Sequence, residues 1–404
     1  MNEIREHVVD PPSPLPVRLP RSADLVIIGG GIAGVADAFF ASRAGLQTVI
    51  IDKQSQLGAY TTSQAMGMIR CQWDVPEIVS LTMASAEFYR RFGTETGLSG
   101  WNLGIGEQGW MRVTTRKTAL PFFKKWAAAN RRLGVDGVEY LEGGEAISRF
   151  PWLSRSVRAA TYRARDFWLS PYEATQGFAR ASGAVVLLRT TVRALRFSKG
   201  RVTGVVTERG SISAPIVVLA AGAFSHQFAT SLGVSLPVTM VRHHRAFISP
   251  QPEIPASAPM TADYDRRVVW RPDGVGAAIG MQSGEAPSQP ADSVPIDWTF
   301  PAFAMQAAGR ATPFWRTVAS RIASSQISLG AGLYTCTADS LPVIGSVSSH
   351  PGLFVHTGDN GMGVAIAPEA SRRLIELVTA GRHHRRVNPF AVDRDMRRRP
   401  PLVY

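Results

Sequence analysis

Cysteine is nearly missing from this chain: Cys71 and Cys336 are the two it has in 404 residues. A disulfide framework and a cysteine-built metal cluster are therefore excluded, no metal site is expected, and both thiols read as reduced and semi-buried. Uninterrupted apolar runs of membrane-spanning length are also missing, which excludes a transmembrane helix. The opening MNEIREHVVDPPSPLPVRLPRSAD mixes acids, bases and prolines where a signal peptide needs an apolar core, so a short extended lead-in and a cytoplasmic location are expected. Acids are scarce beside bases, 31 against 44, for a formal net charge of +13. Zinc-finger spacing, RNP-like aromatic motifs and repeats are absent, so the excess reads as a solvated surface that favours anionic substrates or partners, not nucleic acid. The concentration GRHHRRVNPFAVDRDMRRRP reads as a solvated tail, with contact to a membrane surface or an acidic partner subunit as the alternative. What remains is an ordinary globular balance, 45% hydrophobic and 19% charged, long enough for two domains that share an interface.

The most informative stretch is ADLVIIGGGIAGVADAFFASRAGLQTVIID, from Ala23 to Asp52. Leu25 to Ile28 is an apolar run of the kind a buried parallel strand shows, and Gly29, Gly31 and Gly34 follow at GxGxxG spacing. Gly29 suits a tight turn, Gly31 a close approach of pyrophosphate, and Gly34 close packing of helix on strand. The helix N-terminus at Ile32 and Ala33 offers free N–H groups and a positive dipole end. Thr48 to Ile51 returns as a second strand ending in Asp52, whose carboxylate is placed for ribose hydroxyls. The pattern predicts a dinucleotide site and leaves NAD(P) and FAD both open.

The following loop, KQSQLGAYTTSQAMGMIRCQWD, is small and polar enough to lie against a flat ring, with Lys53, Thr62 and Ser63 as candidate contacts. Helices are expected over Val75 to Thr96, Leu120 to Leu133, Tyr172 to Ser182 and Phe303 to Ser320. Val185 to Leu188 reads as a strand, and Val192 to Phe197, Arg201 to Glu208 and Ser211 to Ser213 as a small antiparallel sheet with KG and RG turns. Ile216 to Ala220 is another apolar strand, delivering Ala221 and Gly222 to a turn. Val234 to Leu329 carries short strands and a proline-interrupted stretch from Pro287 to Pro301, the composition of a substrate platform. Leu353 to His356 is strand-like, Gly358 to Gly363 a second glycine loop, and Ala365 to Val378 a helix aimed at that loop.

In this order, GGGIAGVADAFFASRAGLQTVIID, VVLAAGAFS, VVWRPDGVGAAIG, GLYTCTADSLPVIG and TGDNGMGVAIAP resemble the FAD-dependent D-amino acid oxidase superfamily, nearest its sarcosine oxidase, glycine oxidase and dimethylglycine dehydrogenase branch. The resemblance runs from about Asp24 to Arg394. It implies an α/β fold: a Rossmann-like, glutathione-reductase-like FAD domain from 22–85, 170–232 and 330–394, interleaved with an antiparallel β-sheet substrate domain from 86–169 and 233–329. Residues 1–21 and 395–404 would be extended tails. Residue by residue it implies that Gly29, Gly31, Gly34 and Asp52 hold the ADP part and that Val192 meets the adenine. Ala221 and Gly222 would close over the cofactor, the loop of Gly361, Met362 and Gly363 would reach the flavin pyrimidine, and Gly358 and Asn360 in the same glycine loop are further cofactor-binding candidates. Arg70 matches an arginine that holds the substrate carboxylate in sarcosine oxidases.

Several matched positions depart from the family. Gly332 stands where monomeric sarcosine oxidases attach flavin to cysteine, so the resemblance implies non-covalent FAD. Ala365 replaces a lysine that supports oxygen reactivity, Tyr334 a carboxylate-binding arginine of glycine oxidases, and Gln282 a histidine. The implied activity is oxidation of the C–N bond of an amino acid or a secondary or tertiary amine by hydride transfer to flavin N5. An imine is the product, and oxygen or another electron acceptor takes the electrons. Arg70, His244, Tyr334 and Gln282 form the candidate catalytic set. His243 and His244 keep open a 2-hydroxy acid dehydrogenase, and the replaced residues a non-catalytic flavin subunit of a complex.

Overall fold

The computed structural model describes residues 18–274, 276–282, 287–380 and 387–396. The expected lead-in through residue 17 and the basic segments 381–386 and 397–404 lie outside the described residues.

Leu25–Ile28 forms the centre of a six-stranded sheet, flanked by Thr48–Ile51 and Ile216–Leu219, with Val185–Leu187 and Leu353–Thr357 outside them. All of these run parallel, and Val343–Ser346 adds an antiparallel edge. Each residue of the two leading strands is buried, which is why they read as continuous apolar runs and not as alternation. One face carries the helices Ile32–Arg43, Pro171–Ser182 and Gly363–Ala380, joined by Pro76–Arg90 and cemented by Phe39, Phe88 and Phe178. The other face is covered by the three-stranded sheet Val192–Ser198, Arg201–Thr207, Gly210–Ser213, which lays Leu195, Val205 and Ile212 against Val26, Val49 and Val217.

A second sheet has nine strands. From one edge it runs Ile327–Thr337, Val238–Ile248, then Ala277–Met281 with Pro287–Ser288, Val268–Pro272, Met260–Asp263, Trp110–Thr114, Ala159–Arg163 and Glu139–Glu142. Its longest ladder pairs Val238 with Thr337 through Ile248 with Ile327, antiparallel and without a bulge. Met260–Asp263 and Trp110–Thr114 run parallel, and the other neighbours antiparallel.

Three expectations need correction. The helix expected over 303–320 is two, Phe300–Ala308 and Phe314–Arg321, because Pro313 lacks the N–H that a continuing helix needs and takes the N-cap of the second. The helix from 75 to 96 breaks at Arg91 into Pro76–Arg90 and Phe92–Thr96. The segment boundaries at 86 and 330 fall inside Pro76–Arg90 and Ile327–Thr337, and the strand stays in the large sheet to Thr337.

Candidate cofactor and substrate site

A cavity of about 640 Å³ runs between the two sheets. It begins at Thr190, Val192 and Arg193, passes the turn Gly29 to Ala33, and ends under the large sheet among Met66, His243, Arg245, Gln282 and Tyr334. Its walls come from both ends of the chain, as Ala221 and Gly222 close one side and Gly361, Gly363 and Ala365 another.

The glycine turn is built by contact. A Cβ on Gly29, which has φ +115°, would stand 2.4 Å from the Ala220 carbonyl oxygen, and one on Gly34 would stand 2.0 Å from the Gly29 oxygen. No side chain fits either place, so the helix lies tight on the strand, and Gly31, Ile32 and Ala33 at its start line the cavity. Asp52 accepts from Gly30 N–H at 2.6 Å and from Gln54 N–H at 2.7 Å, and lines the cavity. Thr62 reaches across to accept from Ile32 N–H at 3.2 Å. Lys53 lies 3.5 Å over the Phe224 ring and 2.5 Å from Asp292, while Tyr60 donates to the Ala291 carbonyl at 2.6 Å. A strap near 291 and 292 is thereby tied to the loop after Asp52.

The other expected cofactor residues divide. Gly29, Gly31, Ile32, Ala33, Asp52, Lys53, Thr62, Val192, Ala221, Gly222, Gly361 and Gly363 line the cavity. Ser63, Gly34, Gly358, Asn360 and Met362 do not. Ser63 Oγ is turned back to the Ala59 and Tyr60 carbonyls, and Met362 is 4% exposed in the core. Asn360, at φ +51°, accepts from Thr337 N–H at 2.9 Å and donates to the Gly358 carbonyl at 2.6 Å, so it braces the second glycine loop from behind.

Among the candidate catalytic residues, His244, Tyr334 and Gln282 line the cavity and Arg70 does not. Arg70 is 3% exposed, its guanidinium 3.8 Å from the Trp73 ring and 4.7 Å from the Trp110 ring. Motif position cannot tell which way a side chain leaves a two-residue strand edge, and here it leaves toward the tryptophans. His244 Nε2 accepts from Asp297 N–H at 2.9 Å, and its ring stacks on Phe300 at 5.2 Å. That contact occupies the lone pair a base needs. His243, on the opposite face of the strand, stacks on Tyr334 at 4.0 Å. Cys336 is absent from the lining, and burial pushes its thiol up to about 11.

Arg245 is the residue that sequence reasoning missed. It shares the His243 face of Val238–Ile248, lines the cavity, and donates from Nη1 to the Ser63 and Ala65 carbonyls at 3.0 and 3.3 Å. Burial lowers its pKa to about 10 against the raising pull of Asp273, yet no ion pair forms with it among the described residues. The period-two alternation VRHHRAF placed His243 and Arg245 on one face, and that was the available signal.

The pattern of the family described as DAO, FAD dependent oxidoreductase, matches residues 24–377. Human mitochondrial sarcosine dehydrogenase is 23% identical over 93% of this chain, which spans 42% of that protein's length. Glycine oxidase of Pseudomonas putida is 26% identical, with 89% of this chain and 95% of the relative covered. Among solved structures, L-proline dehydrogenase from P. horikoshii superposes with a TM-score of 0.78 at 25% identity, covering 89% of this chain and 94% of that one. The cradle suits such a cofactor: the turn leaves no room for a Cβ beside the first helix, Asp52 lines the cavity next to that turn, and the small residues Gly361, Gly363 and Ala365 line its other wall. The chain therefore belongs to the DAO family of FAD-dependent oxidoreductases, and FAD is its cofactor.

Proposed function

We propose that this chain oxidises the C–N bond of an amino acid or an N-methylated amino acid, giving an imine. Arg245 is the observation that carries the substrate class. A half-buried guanidinium that faces a cavity, lies over the Phe247 ring at 3.9 Å and has hydrogen bonds to neutral carbonyls and an amide is suited to an anion, and a substrate carboxylate satisfies it in a charge-assisted way. The names of the relatives, sarcosine dehydrogenase and glycine oxidase, support the same class. FAD, when bound, supplies the two-electron acceptor.

The protein's own residues bind and orient. Arg245 would fix the carboxylate, the stacked His243 and Tyr334 would wall the substrate's side, and Met66 and Val269 would keep the reacting carbon dry. His244, committed to Asp297 N–H, is unsuited to the base that a 2-hydroxy acid requires. A free-base amine needs no such base, since its own lone pair drives the oxidation. Among the non-covalent contacts no cysteine reaches the cavity lining, which supports dissociable FAD.

Anaerobic titration of the yellow protein with sarcosine, glycine, proline, a carboxylate-free amine and lactate tests this. Bleaching of the flavin band by carboxylate-bearing amines alone is the expected result. Bleaching by lactate alone would reject the reading, and no bleaching by any of them would favour a non-catalytic subunit.

A further inference from the structure

Two arginines face the substrate end of the cavity, and the chemistry above uses only Arg245. The large sheet sets their places. Arg245 is registered opposite Gly280, and Gly280 opposite Val269, across the neighbouring strands Val238–Ile248, Ala277–Met281 and Val268–Pro272. Arg245 and Val269 are thus two strand spacings apart, roughly 10 Å. These three residues line the cavity together with His243 and Gln282, each two residues along the chain from one of them, and they make one floor. Gly280 keeps the middle of that floor bare, since a Cβ there would stand 3.0 Å from Met66 Sδ.

Arg267 lines the cavity at the far side of this floor, at the head of Val268–Pro272. It is exposed, and its backbone is what sets it apart from an ordinary solvated arginine. Its φ is +57°, in the left-handed region that bulky side chains avoid. The conformation is held on both sides: Arg267 N–H donates to the Asp263 carbonyl at 2.8 Å, and its own carbonyl accepts from Gln282 N–H at 2.9 Å. The acids of the turn are engaged elsewhere. Asp263 Oδ1 accepts from Asp265 N–H and Arg266 N–H at 2.9 and 3.1 Å, while Asp265 accepts from Thr115 N–H at 2.8 Å and pairs with Arg116 at 2.8 Å. Among the described residues the acids of the cavity lining are Asp52, beside the glycine turn, and Asp359, just after Leu353–Thr357, so both belong to the nucleotide side. The substrate end therefore carries two guanidinium groups and no carboxylate of its own among the described residues.

We propose that the substrate is an amino acid with two carboxylates, or an N-alkyl derivative of one, held by Arg245 at the carboxylate next to the reacting carbon and by Arg267 at the other. This rests on the C–N oxidation reading and narrows it. A substrate with one carboxylate answers one guanidinium and leaves the other to water, whereas a dicarboxylate answers both in a charge-assisted way. Specificity is that difference, and Arg267 is the residue that sets it.

The test is anaerobic bleaching of the flavin band of the holoenzyme, read as half-saturation for two matched pairs: iminodiacetate against sarcosine, and racemic N-methylglutamate against racemic N-methylnorvaline. The members of each pair differ by one carboxylate. In at least one pair the dicarboxylate should half-saturate at a concentration about tenfold lower than its match, the effect of one charge-assisted hydrogen bond. Arg267→Asn removes the charge with a residue that accepts a left-handed φ, and should bring that ratio to within about twofold of one. A melting midpoint taken on the same sample shows that the variant is folded, and Arg267→Gln replaces it if it is not. A preference that survives in the folded variant overturns the role of Arg267. Bleaching by the monocarboxylates with no preference in either pair overturns the dicarboxylate class alone, whereas no bleaching by any of the four compounds overturns the C–N oxidation reading as well, so the two failures are distinguishable.

Discussion

Two arginines show how much a side chain's surroundings decide. Arg70 sits between Trp73 and Trp110 and away from the cavity, whereas Arg245 lines it with no ion-pair partner among the described residues. Arg245→Ala should therefore weaken binding of a carboxylate-bearing amine by about 2–5 kcal/mol if the pair is desolvated, measured as the half-saturation of flavin bleaching. A carboxylate-free amine should bind equally to both forms. Arg70→Ala should instead lower the melting midpoint, since a stacked guanidinium contributes on the order of 1–2 kcal/mol when desolvated, and leave the substrate constant unchanged. A shift in that constant with an unmoved melting midpoint would return Arg70 to the site. The sequence made an arginine near residue 70 legible and its direction illegible, because direction is fixed in part by Trp110 on a distant strand. His244 was misread for the same reason: Asp297, which donates to its ring, lies 53 residues away.

At the scale of elements, legibility followed local cause. The glycine turn, the paired apolar strands and the last helix were readable because Gly29, the run Leu25–Ile28 and the spacing of Ile366, Ala370 and Leu374 act within a few residues. The split at Pro313 was equally local and was overridden by apolar spacing, an error of weighting. Gly34→Ala tests the tightest of these contacts: its methyl would stand 2.0 Å from the Gly29 oxygen, so the helix must lift from the strand. Purified protein should lose its yellow colour, and full retention of flavin absorbance would show that the turn relaxes at no cost. A second element-scale joint is Asp166, 0% exposed, which accepts from Arg163 Nη1 at 2.6 Å and from Cys71 N–H at 3.2 Å. It clamps the segment after Arg70 to the large sheet. Asp166→Ala leaves a buried guanidinium without this partner and should cost about 3–5 kcal/mol in denaturant unfolding.

For the whole molecule, the expectation concerns electron disposal. Ala365, 4% exposed, lines the cavity beside Gly363 and brings no charge of its own to that wall, where a positive charge would stabilise an oxygen-derived anion. Loss of such a preorganised charge can cost about 3–4 kcal/mol. Photoreduced enzyme mixed with oxygenated buffer should reoxidise more slowly than turnover, while a quinone or dye restores the colour rapidly. Reoxidation at the turnover rate would make this an oxidase.

The nucleotide sheet joins Leu25–Ile28 to Leu353–Thr357 through Ile216–Leu219, and the last helix supplies the wall at Gly363 and Ala365. On a ribosome, then, the glycine turn emerges before the strands that flank it are complete and waits until Leu353–Thr357 is made, since domains assemble as units and distant contacts close late. Flavin capture waits for Leu353–Thr357 and the helix after it, and a nascent chain halted before Leu353 would hold the fingerprint of a flavoprotein without the means to keep the flavin.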